Sequence, residues 1–211
     1  MSTKSVIISS FFLGLILVSI GRVVQVQLRR EVFTPQKSTF TFKPPEQAIK
    51  GKVRSVNGDV RKQSRDSDKL EKIDVPQPVL QGDKIVTRKN AAVTIQFDDI
   101  GIVNINSDST VNIISLLPAS FLIQQTSGDV TYESVSNKPL SIRSLHALFT
   151  IQSGRATVES DREKGELIIS VASGKGKLAM IDTENETHTW DIKAGQKAVI
   201  DDEARTVKIR K

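Results

Sequence analysis

Apolar residues occupy every second position through much of residues 91–113, and this pattern constrains the fold more than any other. They are Ala91, Val93, Ile95, Phe97, Val103, Ile105, Val111 and Ile113. A period of two residues is typical of a β-strand with one buried face. Turn-forming residues interrupt the pattern at Asp98-Asp99 and at residues 107–109. We therefore expect three short strands here, preceded by a turn at Gly82-Asp83.

Strand and turn signals continue through the chain from residue 49 to its last residues. Asn57-Gly58 is a strong two-residue hairpin signal. Glycine-containing turns recur at residues 58, 82, 101, 128, 154, 174 and 195, at intervals of 19 to 27 residues. This pattern predicts an all-β domain of many short strands, in a solenoid-like or a two-layer sandwich arrangement. The loose repeat favours the solenoid-like alternative.

The N-terminal region contains a long uncharged stretch at residues 6–20. Its apolar residues are Val6, Ile7, Ile8, Phe11, Phe12, Leu13, Leu15, Ile16, Leu17, Val18 and Ile20. A helix of this length falls short of the roughly 30 Å hydrocarbon core, so we extend the predicted anchor to residues 5–26, after a tail of residues 1–4. The alternative is a signal peptide cut near Ser19-Ile20-Gly21, although nothing like an Ala-x-Ala cleavage site is present.

A polar segment at residues 27–47 separates this anchor from the β domain, which we assign to residues 48–211. The segment contains Pro35, Pro44 and Pro45, which is typical of a tether. Residues 1–45 carry six basic residues and one acidic residue, so +5 of the net charge of +6 lies in residues 1–45. Because the domain is nearly neutral, we do not expect nucleic-acid binding.

The sequence offers no recognisable catalytic, cofactor or metal site. It has no Cys, and its two histidines, His146 and His188, are expected in strands without a nucleophile nearby. Asp98, Asp99, Asn104, Asn106 and Asp108 could supply oxygen ligands to calcium, but their spacing matches no EF-hand loop. We therefore predict a protein that is not an enzyme and binds no cofactor. A polysaccharide-acting enzyme that uses Asp98, Asp99 or Asp201 is the lower-ranked alternative.

In order along the chain, several short motifs resemble the FecR domain, the extracytoplasmic domain of bacterial iron-transport signal transducers. They are the segments 51–60, 80–87, 92–101, 109–111, 127–130, 147–151, 171–178 and 194–196. Their turn residues are Gly51, Gly58, Gly82, Asp83, Gly101, Gly128, Asp129 and Gly195. The resemblance covers about residues 48–200. It departs from the family at Ile100, and at residues 143–145, where the family tends to have a Thr-Pro pair.

The resemblance implies an all-β domain exported across the cytoplasmic membrane behind a single helix. The positive-inside rule, applied to Arg22, Arg29 and Arg30, predicts the opposite orientation, and the resemblance decides against it. With about four residues before the predicted anchor, we expect no counterpart of the sigma-regulating region of the transducers. We expect a single-pass cell-membrane protein whose domain binds an envelope protein or cell-wall polymer. The alternative is a signalling component that works with a separate transmembrane or regulatory partner through its anchor.

Overall fold

The computed structural model describes residues 48–136 and 138–211, which form fifteen β-strands and no helix. This confirms the all-β prediction. The strands are β1 Gly51–Asn57, β2 Val60–Gln63, β3 Leu70–Lys72, β4 Pro78–Val79, β5 Lys84–Thr87, β6 Ala92–Phe97, β7 Gly101–Ile105, β8 Thr110–Ser115, β9 Leu122–Ser134, β10 Leu140–Ser144, β11 Ala147–Asp161, β12 Glu166–Ile181, β13 Thr187–Lys193, β14 Lys197–Asp201 and β15 Thr206–Arg210.

The predicted anchor, tail and linker, residues 1–47, lie outside the described residues. Among the residues that are described, we find no helix with the length and apolar character needed to cross a membrane.

All fifteen strands belong to one hydrogen-bonded sheet that does not close on itself. The strand pairing divides it into two rows. Row A contains, in order, β4, β1, β6, β7, the second half of β9, the second half of β11, the first half of β12, β14 and β15. Row B contains β3, β2, β5, β8, the first half of β9, β10, the first half of β11, the second half of β12 and β13. The pairing of β9 with β10 is parallel, and all the others are antiparallel.

Three long strands connect the rows, because β9, β11 and β12 each contribute one half to row A and the other half to row B. They contain 13, 15 and 16 residues. The turn signals at Gly128, Gly154 and Gly174 predict separate short strands, and this prediction is wrong. Each of these glycines has a positive φ and lies inside a continuous strand. The glycine bends the strand without ending it, which a turn signal alone does not reveal.

One hydrophobic core takes residues from both rows. In β6, for example, Val93, Ile95 and Phe97 are buried and the residues between them are half-exposed, as the period-two pattern predicted. Each fully buried Ile or Phe of this kind contributes roughly 1.5–3 kcal/mol relative to an exposed side chain. The core is composed mainly of Ile, Val, Leu and Phe, and the described residues add only a few buried polar side chains.

The predicted hairpin at Asn57-Gly58 was also wrong. The chain bends at Gly58, but β1 pairs with β4 and β6 in row A, whereas β2 pairs with β3 and β5 in row B. The chain therefore passes from one row to the other at Gly58. An Asn-Gly signal specifies a tight turn, and long-range pairing decides whether the two flanking strands pair.

A buried hydrogen-bond network joins the two rows inside the core. The Tyr132 hydroxyl in row A donates to Oε1 of Gln125 in row B, at 3.0 Å. The Gln125 amide in turn donates to the carbonyls of Gly128 and Val158, both at 2.8 Å. Burial raises the pKa of the Tyr132 hydroxyl well above its ordinary value, so the group stays protonated and remains a donor.

Replacing Tyr132 with Phe is expected to lower the free energy of unfolding by about 1–3 kcal/mol, because Oε1 of buried Gln125 loses its donor. Urea denaturation followed by circular dichroism measures the change. Ser141→Ala serves as the control, since its hydroxyl pairs with Thr150 in a half-buried position where water can replace it. Equal losses for the two variants would contradict the structural role of this network.

Candidate functional site

An open sheet has edge strands, and these edges are the clearest candidates for a binding site in the described structure. The edge strands are β4 and β15 in row A, and β3 and β13 in row B. Along its outer side, each presents backbone N–H and C=O groups that form hydrogen bonds with no described strand. Such a row is a template for pairing with another chain. Strands β4 and β3 have only two and three residues. With seven and five residues, β13 and β15 are the longer edges.

Strand β13 has a mixed composition. Thr187, Thr189, Asp191 and Lys193 face outward, whereas His188, Trp190 and Ile192 face the same side as the buried residues of β12. Trp190 is half-buried and packs against the core. Its ring centroid lies 6.0 Å from that of His188, which lies in a strand as expected.

The loop before β13 is held by Asp182. Its carboxylate accepts backbone N–H groups from Glu184 at 2.8 Å and Glu186 at 2.9 Å, and lies 2.7 Å from the imidazole of His188. The hydrogen bond from the Glu186 N–H contributes most to lowering the pKa of Asp182, and the hydrogen bond with His188 contributes next. The ligand atoms of Asp182, Glu186 and His188 lie within 4.8 Å of one another, so these residues could hold a divalent cation. Closure of the loop also explains the contacts that Asp182 makes with the two backbone N–H groups and with His188.

Strand β15 is basic. Its outward-facing residues include Lys208 and Arg210, and Arg210 lies directly opposite Lys197 of β14. Like charges opposite each other on antiparallel strands are destabilising. Among the described residues, none of these three cations has a carboxylate within 4.0 Å. On the opposite face of the strand, Val207 is half-buried and Ile209 is 37% exposed.

A polar cavity of about 720 Å³ is lined by residues of β9 and β11, including Ser127 and Ser160, and by turn residues, including Asp108 and Arg162. A neighbouring cavity is lined in part by His146 and Asp202. His146 lies in the turn between β10 and β11, so its expected strand position was wrong. Its ring and backbone N–H both contact the Asp202 carboxylate, at 2.8 and 3.0 Å.

No nucleophile–base pair occurs at either histidine in the part of the chain that the structure describes. Both imidazoles pair with a carboxylate, and no described hydroxyl lies within hydrogen-bonding distance of either ring. The candidate calcium residues are also separated. Asp98 and Asp99 lie in the β6–β7 turn, at one end of β7, whereas Asn106 and Asp108 follow its other end. Asn104 accepts the Thr94 hydroxyl and Asn106 donates to Asp129.

The residues taken from the family motifs occupy structural positions spread across the sheet. Gly58 has a positive φ in a bend, and Gly82 and Gly195 have positive φ in turns. Gly51 and Gly101 begin β1 and β7, while Gly128 and Asp129 lie within β9. Asp83 is 2% exposed and forms an ion pair with Lys62. The structure does not bring these residues together at one site.

Neither β13 nor β15 is predicted as a binding edge from the sequence. One signal for β15 was present in the sequence, because residues 206–210 alternate cations with apolar residues. Whether such a strand lies at an edge depends on the pairing of the whole sheet, which the local sequence does not reveal.

Comparison with known proteins finds a fold but no family. No family model matches the chain, and no curated protein matches its sequence. A crystal structure described as "a putative anti-sigma factor from Parabacteroides distasonis" matches with a TM-score of 0.51 and 14% identity, covering 60% of this chain. A second crystal structure with the same description has a TM-score of 0.49, also with 14% identity and 60% coverage. The match spans 58% of the first solved chain, which is less than two thirds of its length.

Proposed function

We propose that this protein is a non-enzymatic, membrane-anchored cell-envelope protein whose β domain, residues 48–211, binds another protein. The observation that carries the proposal is the open sheet with two edges, β13 and β15, that have no partner among the described strands. Strand addition at such an edge uses backbone hydrogen bonds for affinity and side chains for specificity. We place the domain outside the cytoplasm behind the anchor of residues 5–26, as the FecR-domain resemblance implies.

A cell-wall polymer is the other partner class that the sequence analysis allowed. We rank it second because no described aromatic residue lines the polar cavity of about 720 Å³. Sugar rings commonly stack on aromatic side chains, whose apolar faces they cover. The edge strands therefore favour a protein partner.

The signalling alternative is supported by the fold likeness to the chain described as a putative anti-sigma factor. In this alternative the protein acts together with a separate transmembrane or regulatory protein, which it contacts through its anchor. The likeness also supports the narrower FecR-domain assignment, which we include in the proposal.

Cross-linking of intact cells, followed by purification of the tagged full-length protein, tests the proposed function. We expect a specific envelope protein to be recovered, and recovery of nothing above an untagged control would argue against it. Exchange of residues 6–26 for an unrelated anchor separates the alternatives. Capture should survive the exchange if the β domain binds the partner, and should be lost if the anchor does.

A further inference from the structure

Strand β15 combines three features that together define the chemistry of an occupant. It is an edge strand, it carries cations at alternate positions on one face, and those cations lack a carboxylate partner among the described residues. We infer that β15 binds an extended segment of a partner protein with the pattern acidic–apolar–acidic, added antiparallel to the edge. This inference rests on the proposed function and names the partner's chemistry.

Lys197 and Arg210 form a cross-strand pair of like charge at the β14–β15 ladder. These residues lie directly opposite each other, and Lys208 lies two residues before Arg210 on the same face. A cross-strand pair of like charges costs stability unless an anion lies nearby. In an added strand, residues directly opposite Lys208 and Arg210 would lie within about 4.5–5.5 Å, measured between Cβ atoms. Acidic side chains at those two positions would neutralise the cations.

The middle position of the pattern follows from Ile209. This side chain lies on the other face of β15, pairs with buried Ala198 and is 37% exposed. Because side chains alternate along a strand, the residue opposite Ile209 in an added strand would face the same side. An apolar residue there would cover Ile209 and extend the hydrophobic core by one position.

The other long edge supports the choice of β15 and supplies a matched control. Lys193 of β13 also lies opposite a lysine, Lys175 of β12. Strand β13, however, contains Asp191, which lies 4.0 Å from Lys177, so its outward face is of mixed charge. Residues 206–210 contain no acidic residue. Reversing Lys193 of the β13 edge together with Lys175 of the neighbouring β12 therefore changes the net charge as much as reversing Lys208 and Arg210.

The experiment uses full-length protein in detergent micelles and the fluorescent peptide Ser-Glu-Val-Glu-Val-Glu-Ser. We expect saturable binding that weakens with salt, since the pairs are at the surface. The double variant Lys208→Glu/Arg210→Glu should lose about tenfold or more in affinity, and Lys175→Glu/Lys193→Glu should retain it. A peptide with its glutamates in one block, or with lysines in place of glutamates, should bind more weakly. N-methylation of alternate amides should abolish binding, because strand addition needs backbone hydrogen bonds.

Several outcomes would overturn the inference. They are the absence of peptide binding, unchanged binding by Lys208→Glu/Arg210→Glu, and equal binding of the N-methylated or block peptide. Binding of phosphatidylglycerol vesicles that is lost on the same reversal, without peptide binding, would assign the cations to an anionic membrane surface. If the reversal leaves partner capture from cross-linked cells intact, the inference fails while the proposed function stands. If the unmodified protein captures no envelope protein from cross-linked cells, that result would count against the proposed function.

Discussion

Replacing Asp83 with Ala is expected to lower the free energy of unfolding by about 3–5 kcal/mol. The Asp83 side chain is 3% exposed and lies 3.7 Å from the Lys62 ammonium, whose side chain is 12% exposed. Its carboxylate also accepts the backbone N–H of Leu80 at 2.9 Å. The variant would leave a largely buried cation without its anion and a turn amide without its acceptor, and both losses are costly in a low-dielectric setting.

A double-mutant cycle with Lys62→Met tests the cause of this loss. The double variant should be more stable than Asp83→Ala alone, because removal of Lys62 also removes the unpaired charge. Asp74→Ala is the surface control, since Asp74 pairs with Lys72 where both side chains are more than half exposed. Urea denaturation measures each variant. A double variant no more stable than Asp83→Ala would show that the ion pair is not the cause.

Replacing Gly154 with Ala is expected to destabilise the domain by about 2–4 kcal/mol, through strain and steric overlap. Gly154 has a φ of +85°, and a Cβ placed there would lie 2.1 Å from the carbonyl oxygen of Ser173. Its register partner Gly174 has a φ of +75° and would bring a Cβ within 2.1 Å of the Ser153 carbonyl oxygen. Two backbones therefore approach closely where β11 and β12 pass between the rows.

Comparing Gly195→Ala with Gly154→Ala distinguishes backbone strain from steric overlap of the added Cβ. Gly195 has a φ of +80°, but a Cβ there would meet nothing within 4 Å. Its replacement should cost about 1–2 kcal/mol, the usual penalty of the left-handed conformation for a residue with a Cβ. Thermal and urea denaturation of both variants measure the difference. If Gly195→Ala were as destabilising as Gly154→Ala, the close approach of β11 and β12 would not be the cause.

The sequence predicts the local structure well where one face of a strand is buried. The expected strands over residues 91–113 correspond to β6, β7 and β8, since alternation of Val, Ile and Phe reports burial directly. The turn at Gly82-Asp83 is also present. Buried Asp83 takes part in that turn and in an ion pair with Lys62, a residue 21 positions earlier, which no local pattern reveals.

The long-range pairing is what sequence reasoning missed. Gly128, Gly154 and Gly174 each have the backbone conformation typical of a turn, but the strand continues through them because different partners hold its two halves. The same limit applies to the candidate site. The charges of β15 are visible in the sequence, whereas its position at an edge results from the pairing of all the preceding strands.

The central claim is that the β domain meets its partner outside the cytoplasmic membrane, and single-cysteine labelling tests it most directly. The sequence has no Cys, and the Lys164 side chain is 74% exposed in the turn between β11 and β12. Lys164→Cys would be expressed in the full chain and treated in intact cells with a membrane-impermeant maleimide, with and without permeabilisation of any outer barrier. We predict labelling while the cytoplasmic membrane is intact. Labelling only after lysis would place the domain in the cytoplasm and contradict the envelope role.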